Sequence, residues 1–230
     1  MIRTNKIITI SIFFVFWFAF IFYLSRNIYI VQSGSMENAL FAGDFVFVVK
    51  KVNNKKQIQN GNICVFNTRR SNSFLIKRII GIPANVIWFD KEKIFVNDTL
   101  FEDPSTVKHD FYVYYTQPTF SQWSKFTPKL HKEKRKNYQY INLTKEEANI
   151  LLLENTIDSF YIRDFEPELS EKYKLANNNY FLIGDNRHNS YDSRHFGPIQ
   201  EENIIGIATL VLFNYHNGKF RWDRFLKKIE

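Results

Sequence analysis

The longest apolar run of the chain lies near its N-terminus, between Ile7 and Leu24. These 18 residues carry no charge, and only Thr9 and Ser11 are clearly polar. As an α-helix the run would measure about 27 Å, close to the hydrocarbon thickness of a bilayer. The residues that follow, up to Arg26, lack the small-x-small pattern at which signal peptides are cleaved. We therefore predict a retained transmembrane anchor.

Charges on either side of this run predict its orientation. Arg3 and Lys6 precede the run, whereas only Arg26 follows it closely. Because positive residues concentrate on the cytoplasmic side of single spans, the N-terminus is expected in the cytoplasm. Residues 27–230 are then expected across the membrane, since long domains translocate largely regardless of their charge.

Beyond the anchor, short β-branched and aromatic segments alternate with turn residues, which is typical of an all-β domain. The segments expected as strands are 28–52 (with turns at 33–35 and 42–44), 62–66, 73–80, 86–89, 94–96, 180–183 and 204–212. We predict a mainly β domain built from residues 28–97 and 179–230, preceded by a tip and anchor over residues 1–27.

Residues 98–178 differ in character, and we interpret them as an inserted cap subdomain. Thr144 and Glu147 have the spacing of a capping box ahead of the apolar run 148–153, which predicts a helix there. A basic cluster covers residues 130–136. Such a cluster is typical of a solvated face, although contact with anionic lipid stays open as an alternative.

Composition narrows the chemistry. The net charge is +8, which suits an anionic membrane surface as well as nucleic acid. With an anchor present, we expect the lipid bilayer and no nucleic acid as a partner. The single cysteine, Cys64, excludes an intramolecular disulfide, and the five histidines lack metal-ligand spacing. We therefore predict no metal and no cofactor.

One serine stands in a setting that suits a nucleophile. Ser35 follows Gly34 in a turn between two extended stretches, although a lone Ser-Gly-Ser is more often an ordinary turn. A serine hydroxyl needs a base, and Lys77 interrupts an apolar strand where burial would lower its pKa. The alternative is that Lys77 points into solvent beside Arg78.

Three motif blocks in order resemble the type I signal peptidases, a family of serine peptidases with a Ser/Lys dyad. The resemblance covers about residues 29–89 and 180–212 and leaves the insertion uncovered. The blocks are Ser33-Gly34-Ser35-Met36 with Gly43-Asp44, Lys77-Arg78 with Gly81-Ile82-Pro83, and Gly184-Asp185-Asn186-Arg187 with Ser190, Asp192, Arg194 and Phe196-Gly197.

The resemblance implies a role for each matching residue. Ser35 would be the nucleophile and Lys77 the general base. Ser33 would help the Ser35 backbone N–H to hold the oxyanion, and Ser190 would orient Lys77. The remaining matches would shape the site without taking part in the chemistry: Asp185 as a structural residue, and Asp192 and Arg194 as an ion pair.

The resemblance also implies a substrate and a location. Signal peptides of exported preproteins would lie extended as an added strand and be cut after small residues, at sites of the Ala-x-Ala type. The residues expected to contact them are Tyr29, Ile30, Val31, Gln32, Phe74, Leu75 and Ile76. The catalytic domain would face outward from the bacterial inner membrane.

Two loops depart from the family pattern. Asn38-Ala39 stand where the family usually has Pro-Thr, and Ala84-Asn85 stand where it tends to have Gly-Asp. We expect these loops to be held differently, because proline fixes φ and glycine enters positive φ freely. Two other functions stay open: a Ser/Lys peptidase of the self-cleaving repressor type, and a catalytically silent anchored protein that binds peptides.

Overall fold

The computed structural model describes residues 12–19, 22–23, 25–50, 58–68, 71–114, 131–135, 138–153, 159–162 and 171–229. Its strands are β1 Ile28–Ile30, β2 Asp44–Lys50, β3 Ile63–Thr68, β4 Ser71–Gly81, β5 Val86–Asp90, β6 Lys93–Val96, β7 Thr99–Leu100, β8 Lys108–Tyr114, β9 His131–Arg135, β10 Tyr138–Thr144, β11 Ser159–Ile162, β12 Tyr173–Lys174, β13 Asn179–Ile183, β14 Ile199–Gln200, β15 Ile204–His216, β16 Lys219–Arg221 and β17 Lys227–Lys228. Its named α-helices are α1 Lys145–Leu153 and α2 Ser193–Phe196.

The largest sheet has nine strands and confirms the expectation of a mainly β protein. Seven of them follow the order β1-β2-β15-β3-β4-β13-β14, and β16 and β17 pair with β15. Its strands are rich in β-branched and aromatic residues, which fit a pleated and half-buried surface. Both faces of the sheet are covered in its central part, where Val48, Val65 and Ile79 are fully buried.

The predicted anchor lies partly outside the described residues. Residues 12–19 and 22–23 are helical and their side chains are exposed, whereas 7–11, 20–21 and 24 are not described. Within the part of the chain that the structure describes, no helix is long and apolar enough to cross a bilayer. The anchor therefore stays a prediction.

The insertion contains a four-stranded antiparallel sheet in the order β11-β8-β10-β9, with α1 directly after β10. The predicted capping box is present, because Thr144 N–H donates to Glu147 Oε2 (2.7 Å) and Glu147 N–H donates to Thr144 Oγ1 (3.1 Å). A third sheet, β12-β5-β6-β7, joins both ends of the insertion to the preceding hairpin.

The C-terminal segment contributes to the fold through Arg224. Arg224 is 1% exposed and forms an ion pair of 2.5 Å with Asp44. It also donates to the carbonyl of Ala39 at 2.9 Å. The segment thereby stabilises the turn that follows Ser35.

Candidate active site

Ser35 is presented by a single turn that is anchored in the core on its C-terminal side. Ser33 is extended, and Gly34–Met36 form one turn of 3-10 helix. Met36 and Leu40 are buried, and Leu40 N–H donates to the Met36 carbonyl at 2.7 Å. The Ser35 side chain is therefore held at the surface of a packed core.

Lys77 on β4 reaches this serine. Its Nζ donates to Ser35 Oγ at 2.6 Å and to the carbonyl of Ile76 at 3.1 Å. The side chain is 3% exposed, and Cys64 of β3 lies directly opposite it in the strand register. The structure thus contradicts the alternative in which Lys77 points into solvent.

Burial lowers the pKa of Lys77 from 10.5 to about 8. Desolvation is the main cause, and the nearby carboxylates of Asp192 and Asp185 oppose it. At pH 7 about one lysine in ten is then neutral and able to accept a proton. The Cys64 thiol stays protonated in the same environment, because burial raises its pKa to about 12.

Asp192 and Arg194 form the predicted ion pair and hold the loop beside the dyad. Arg194 Nε and Nη2 donate to the two Asp192 oxygens, each at 2.8 Å, in a bidentate arrangement. Asp192 also accepts from Gly184 N–H at 3.0 Å. Hydrogen bonds lower the pKa of Asp192 against the effect of burial, so the carboxylate stays charged.

The Ser190 side chain lies beside Gly184, and it does not form the hydrogen bond to Lys77 that the resemblance implies. Its side chain packs against Gly184, where an added Cβ would collide with the Ser190 hydroxyl. Among the described residues Ser190 Oγ has no hydrogen bond of ordinary geometry, although it contributes to lowering the pKa of Asp192. In this structure the Ile76 carbonyl, not Ser190, is the second partner of the lysine amine.

Asp185 forms a second buried ion pair, with Arg78. Arg78 Nε and Nη2 donate to the Asp185 carboxylate at 2.8 and 2.7 Å, and Nη1 donates to the Gly61 carbonyl at 2.6 Å. Arg78 is 1% exposed and Asp185 fully buried. The sequence predicted a structural role for Asp185 but did not identify Arg78 as its partner. The charge of Arg78 had suggested that its side chain would point into solvent.

Asn186 is a site residue that the sequence analysis did not single out. Its backbone N–H donates to the Ser35 carbonyl at 3.0 Å, and its Nδ2 donates to the Gly34 carbonyl at 3.2 Å. The side chain is 1% exposed. Its sequence signal was its place in the motif block Gly184-Asp185-Asn186-Arg187, for which the resemblance implied no role of its own.

Comparison with known proteins identifies the family. The family model described as "Signal peptidase, peptidase S26" matches residues 1–213. The chain belongs to this family. It is accordingly a serine endopeptidase, a hydrolase of peptide bonds.

Several relatives carry the same family name. "Signal peptidase I" of Buchnera aphidicola subsp. Schizaphis graminum is 31% identical over 224 residues, covering 84% of this chain and 69% of the relative. "Signal peptidase I P" of Bacillus subtilis subsp. natto is 29% identical over 186 residues, covering 80% and 76%. A crystal structure of a signal peptidase I from Enterococcus faecalis V583 aligns with 66% of this chain and 97% of that chain, at 19% identity and a TM-score of 0.35.

The segments predicted to bind the signal peptide approach one another near the dyad. β1 is an end strand of the large sheet. β13 pairs with β4 only over residues 78–81 of β4, so residues 74–76 lie beyond the part of β4 that β13 covers. The rings of Tyr29 and Phe74 meet edge to face, with centroids 5.2 Å apart. Ile30 and Phe74 are about half exposed, whereas Val31 and Ile76 are buried.

Both loops that depart from the family pattern contain a residue with positive φ. Asn38 has φ +80° and Ala84 has φ +70°. Asparagine tolerates this conformation, whereas alanine is strained in it. Ala84 therefore occupies a position where a glycine would avoid the strain of a positive φ.

Among the residues that the structure describes, no group of three or more histidine, cysteine or carboxylate side chains could hold a metal ion.

Proposed function

We propose that the chain is a membrane-anchored signal peptidase that removes N-terminal signal peptides from exported preproteins by means of a Ser35/Lys77 dyad. The hydrogen bond of 2.6 Å between Lys77 Nζ and Ser35 Oγ carries this proposal. A lysine buried to 3% exposure has the lowered pKa that a general base requires.

Acylation would proceed by proton transfer within the dyad. Neutral Lys77 Nζ accepts the proton of Ser35 Oγ while Oγ attacks the carbonyl carbon of the scissile bond. The Ser35 backbone N–H and the Ser33 hydroxyl stabilise the resulting oxyanion, since Ser33 Oγ lies 3.2 Å from Ser35 Oγ. The ammonium then gives its proton to the leaving amine, and the C–N bond breaks.

Deacylation would reuse the same groups. Lys77 takes a proton from a water molecule, whose oxygen attacks the acyl carbon of the ester. The returning proton restores Ser35 Oγ–H as the ester bond breaks. The orienting role of Ser190 stays a prediction, whereas the Ile76 carbonyl already holds the amine in the required place.

The signal peptide would bind as an extended strand between residues 29–32 and 74–76. Both segments have backbone groups that face away from their paired neighbours, so an added strand can form hydrogen bonds with them. The buried Val31 and Ile76 bring the floor of this cleft close to the peptide backbone, which favours small side chains next to the cut. The anchor would place the cleft on the outer face of the inner membrane.

The test is cleavage of a preprotein with an Ala-x-Ala site by the detergent-solubilised full chain. Wild type should release the mature protein, whereas Ser35→Ala and Lys77→Ala should not, because each lacks one member of the dyad. Lys77→Arg should also be inactive, because a guanidinium does not deprotonate in proteins. Lys93→Arg, at an exposed position on β6, serves as the matched control and should retain activity.

Three results would contradict the proposal. Wild type that binds the preprotein but leaves it intact would favour the silent peptide-binding protein. Cleavage confined to the chain itself would favour the self-cleaving type. Full activity of Ser35→Ala or Lys77→Arg would mean that other groups perform the chemistry.

A further inference from the structure

The insertion is hydrogen-bonded directly to the loop that carries Asn186. Lys108, the first residue of β8, forms a parallel bridge with Asn186. Lys108 N–H donates to the Asp185 carbonyl, and Arg187 N–H donates to the Lys108 carbonyl, both at 2.9 Å. The loop is therefore joined to the first residue of β8 by one isolated parallel bridge.

A side chain of the neighbouring strand, β10, extends this connection. Asn142 Nδ2 donates to Asn186 Oδ1 at 3.1 Å and to Asp110 Oδ1 at 2.9 Å. Asn142 and Asp110 are partners in the register between β10 and β8. The Asn142 amide group thus donates one hydrogen bond within the insertion, to Asp110, and one to the loop that carries Asn186.

This contact favours one of the two orientations of the Asn186 amide. With Oδ1 facing the Asn142 donor, Nδ2 faces the Gly34 carbonyl and donates to it at 3.2 Å. The reverse orientation would place two carbonyl oxygens against each other at Gly34. The Asn142 amide and the Gly34 carbonyl therefore both favour the Asn186 orientation that holds the turn carrying Ser35.

We propose that Asn142 is a positioning residue for the peptidase reaction, acting through Asn186 on the Gly34–Met36 turn. The proposal rests on the function proposed above. It gives the insertion a role in the reaction. Asp110 and Asn142 belong to the insertion, and their hydrogen bonds connect it through Asn186 to the backbone of the turn that carries Ser35. The hydrogen bonds of Asn142 go to Asp110 and Asn186, and neither residue belongs to the segments proposed to bind the peptide, so we expect its effect on catalysis and not on substrate binding.

The experiment compares Asn142→Ala and Asn142→Asp in the wild-type and Asn186→Ala backgrounds, with a peptide substrate and the full chain in detergent. Asn142→Ala should lower kcat by about threefold to tenfold, the effect of one neutral hydrogen bond. Asn142→Asp should lower it further, because a carboxylate draws Asn186 Nδ2 away from Gly34. KM should stay within about twofold, and the pH midpoint should not move, as expected for a group remote from Lys77.

The Asn186→Ala background separates positioning from a general structural effect. If Asn142 acts through Asn186, Asn142→Ala should have no further effect on kcat there, whereas independent effects would multiply. Asn149→Ala, at an exposed position on α1, is the control within the insertion and should behave as wild type.

Multiplying effects, a raised KM with unchanged kcat, or wild-type kcat in both Asn142 variants would overturn the inference. A lower unfolding temperature of Asn142→Ala that accounts for its lost activity would overturn it as well. These results differ from a failure of the proposed function, in which wild type does not cleave or Ser35→Ala does.

Discussion

Replacement of Lys77 by methionine should make the folded protein more stable while abolishing its activity. Methionine has a similar length and no charge to desolvate. A pKa that falls from 10.5 to about 8 corresponds, at ~1.4 kcal/mol per pH unit, to about 3 kcal/mol of free energy against the folded state below pH 8. Loss of the two hydrogen bonds to Ser35 and Ile76, at about 1 kcal/mol each, offsets about 2 kcal/mol of the gain.

The net stabilisation of Lys77→Met at pH 7 is therefore expected to be about 1 kcal/mol. For a domain of this size it corresponds to a rise in Tm of roughly 2–4 °C. Thermal unfolding in detergent at a series of pH values measures it. The matched control is Lys93→Met, where the ammonium is exposed on β6 and no gain is expected.

The pH dependence of the difference between the two proteins is the sharper result. Between about pH 8 and 10.5 the unfolded wild type binds a proton at Lys77 that the folded wild type does not, so wild-type stability rises with pH. The advantage of Lys77→Met should accordingly be full below pH 8 and disappear by about pH 10.5. If the difference in stability between Lys77→Met and wild type were equal at every pH, or if the variant were less stable than wild type at pH 7, burial would not be what lowers the pKa of Lys77.

Three further results are expected. The kcat/KM of wild type should rise with pH and level off above about pH 8, following the pKa of Lys77 in the free enzyme; a midpoint above pH 10 would contradict a lowered pKa. Asp185→Asn should lower the free energy of unfolding by about 3–5 kcal/mol, since it leaves a buried guanidinium unpaired, whereas Asp90→Asn on the surface should change it little by the same denaturation assay. Ala84→Gly should raise Tm by roughly 2–4 °C because it relieves a positive φ, and Ala176→Gly, where φ is not positive, should not.

The sequence predicted those parts of the site that depend on local order. Ser35 and Lys77 stand in short motifs, and the capping box at Thr144 depends on residues three positions apart. Strands also follow from local alternation, so the mainly β fold was predictable. Each of these signals needs only a few neighbouring residues.

Contacts between distant segments were not predictable in this way. Neighbouring residues of a strand point to opposite faces, so Lys77 and Arg78 are both buried only because β4 is covered on both sides. The role of Asn142 depends on the register of β10 with β8 and on the bridge between β8 and the loop at Asn186. The sheet of the insertion was missed because only the helical capping signal was strong there.

The two carboxylates nearest to Lys77 are each paired with an arginine. Asp192 and Asp185 raise the pKa of the lysine, and Arg194 lowers it. Arg194 forms a bidentate pair with the first and Arg78 with the second, so each carboxylate reaches the amine as part of a nearly neutral pair. Desolvation then remains the largest influence on the amine, and the pKa falls to about 8. Arg194 therefore helps to keep the pKa of Lys77 low, as the proposed role of a base requires, whereas Arg78 holds Asp185 in a buried ion pair.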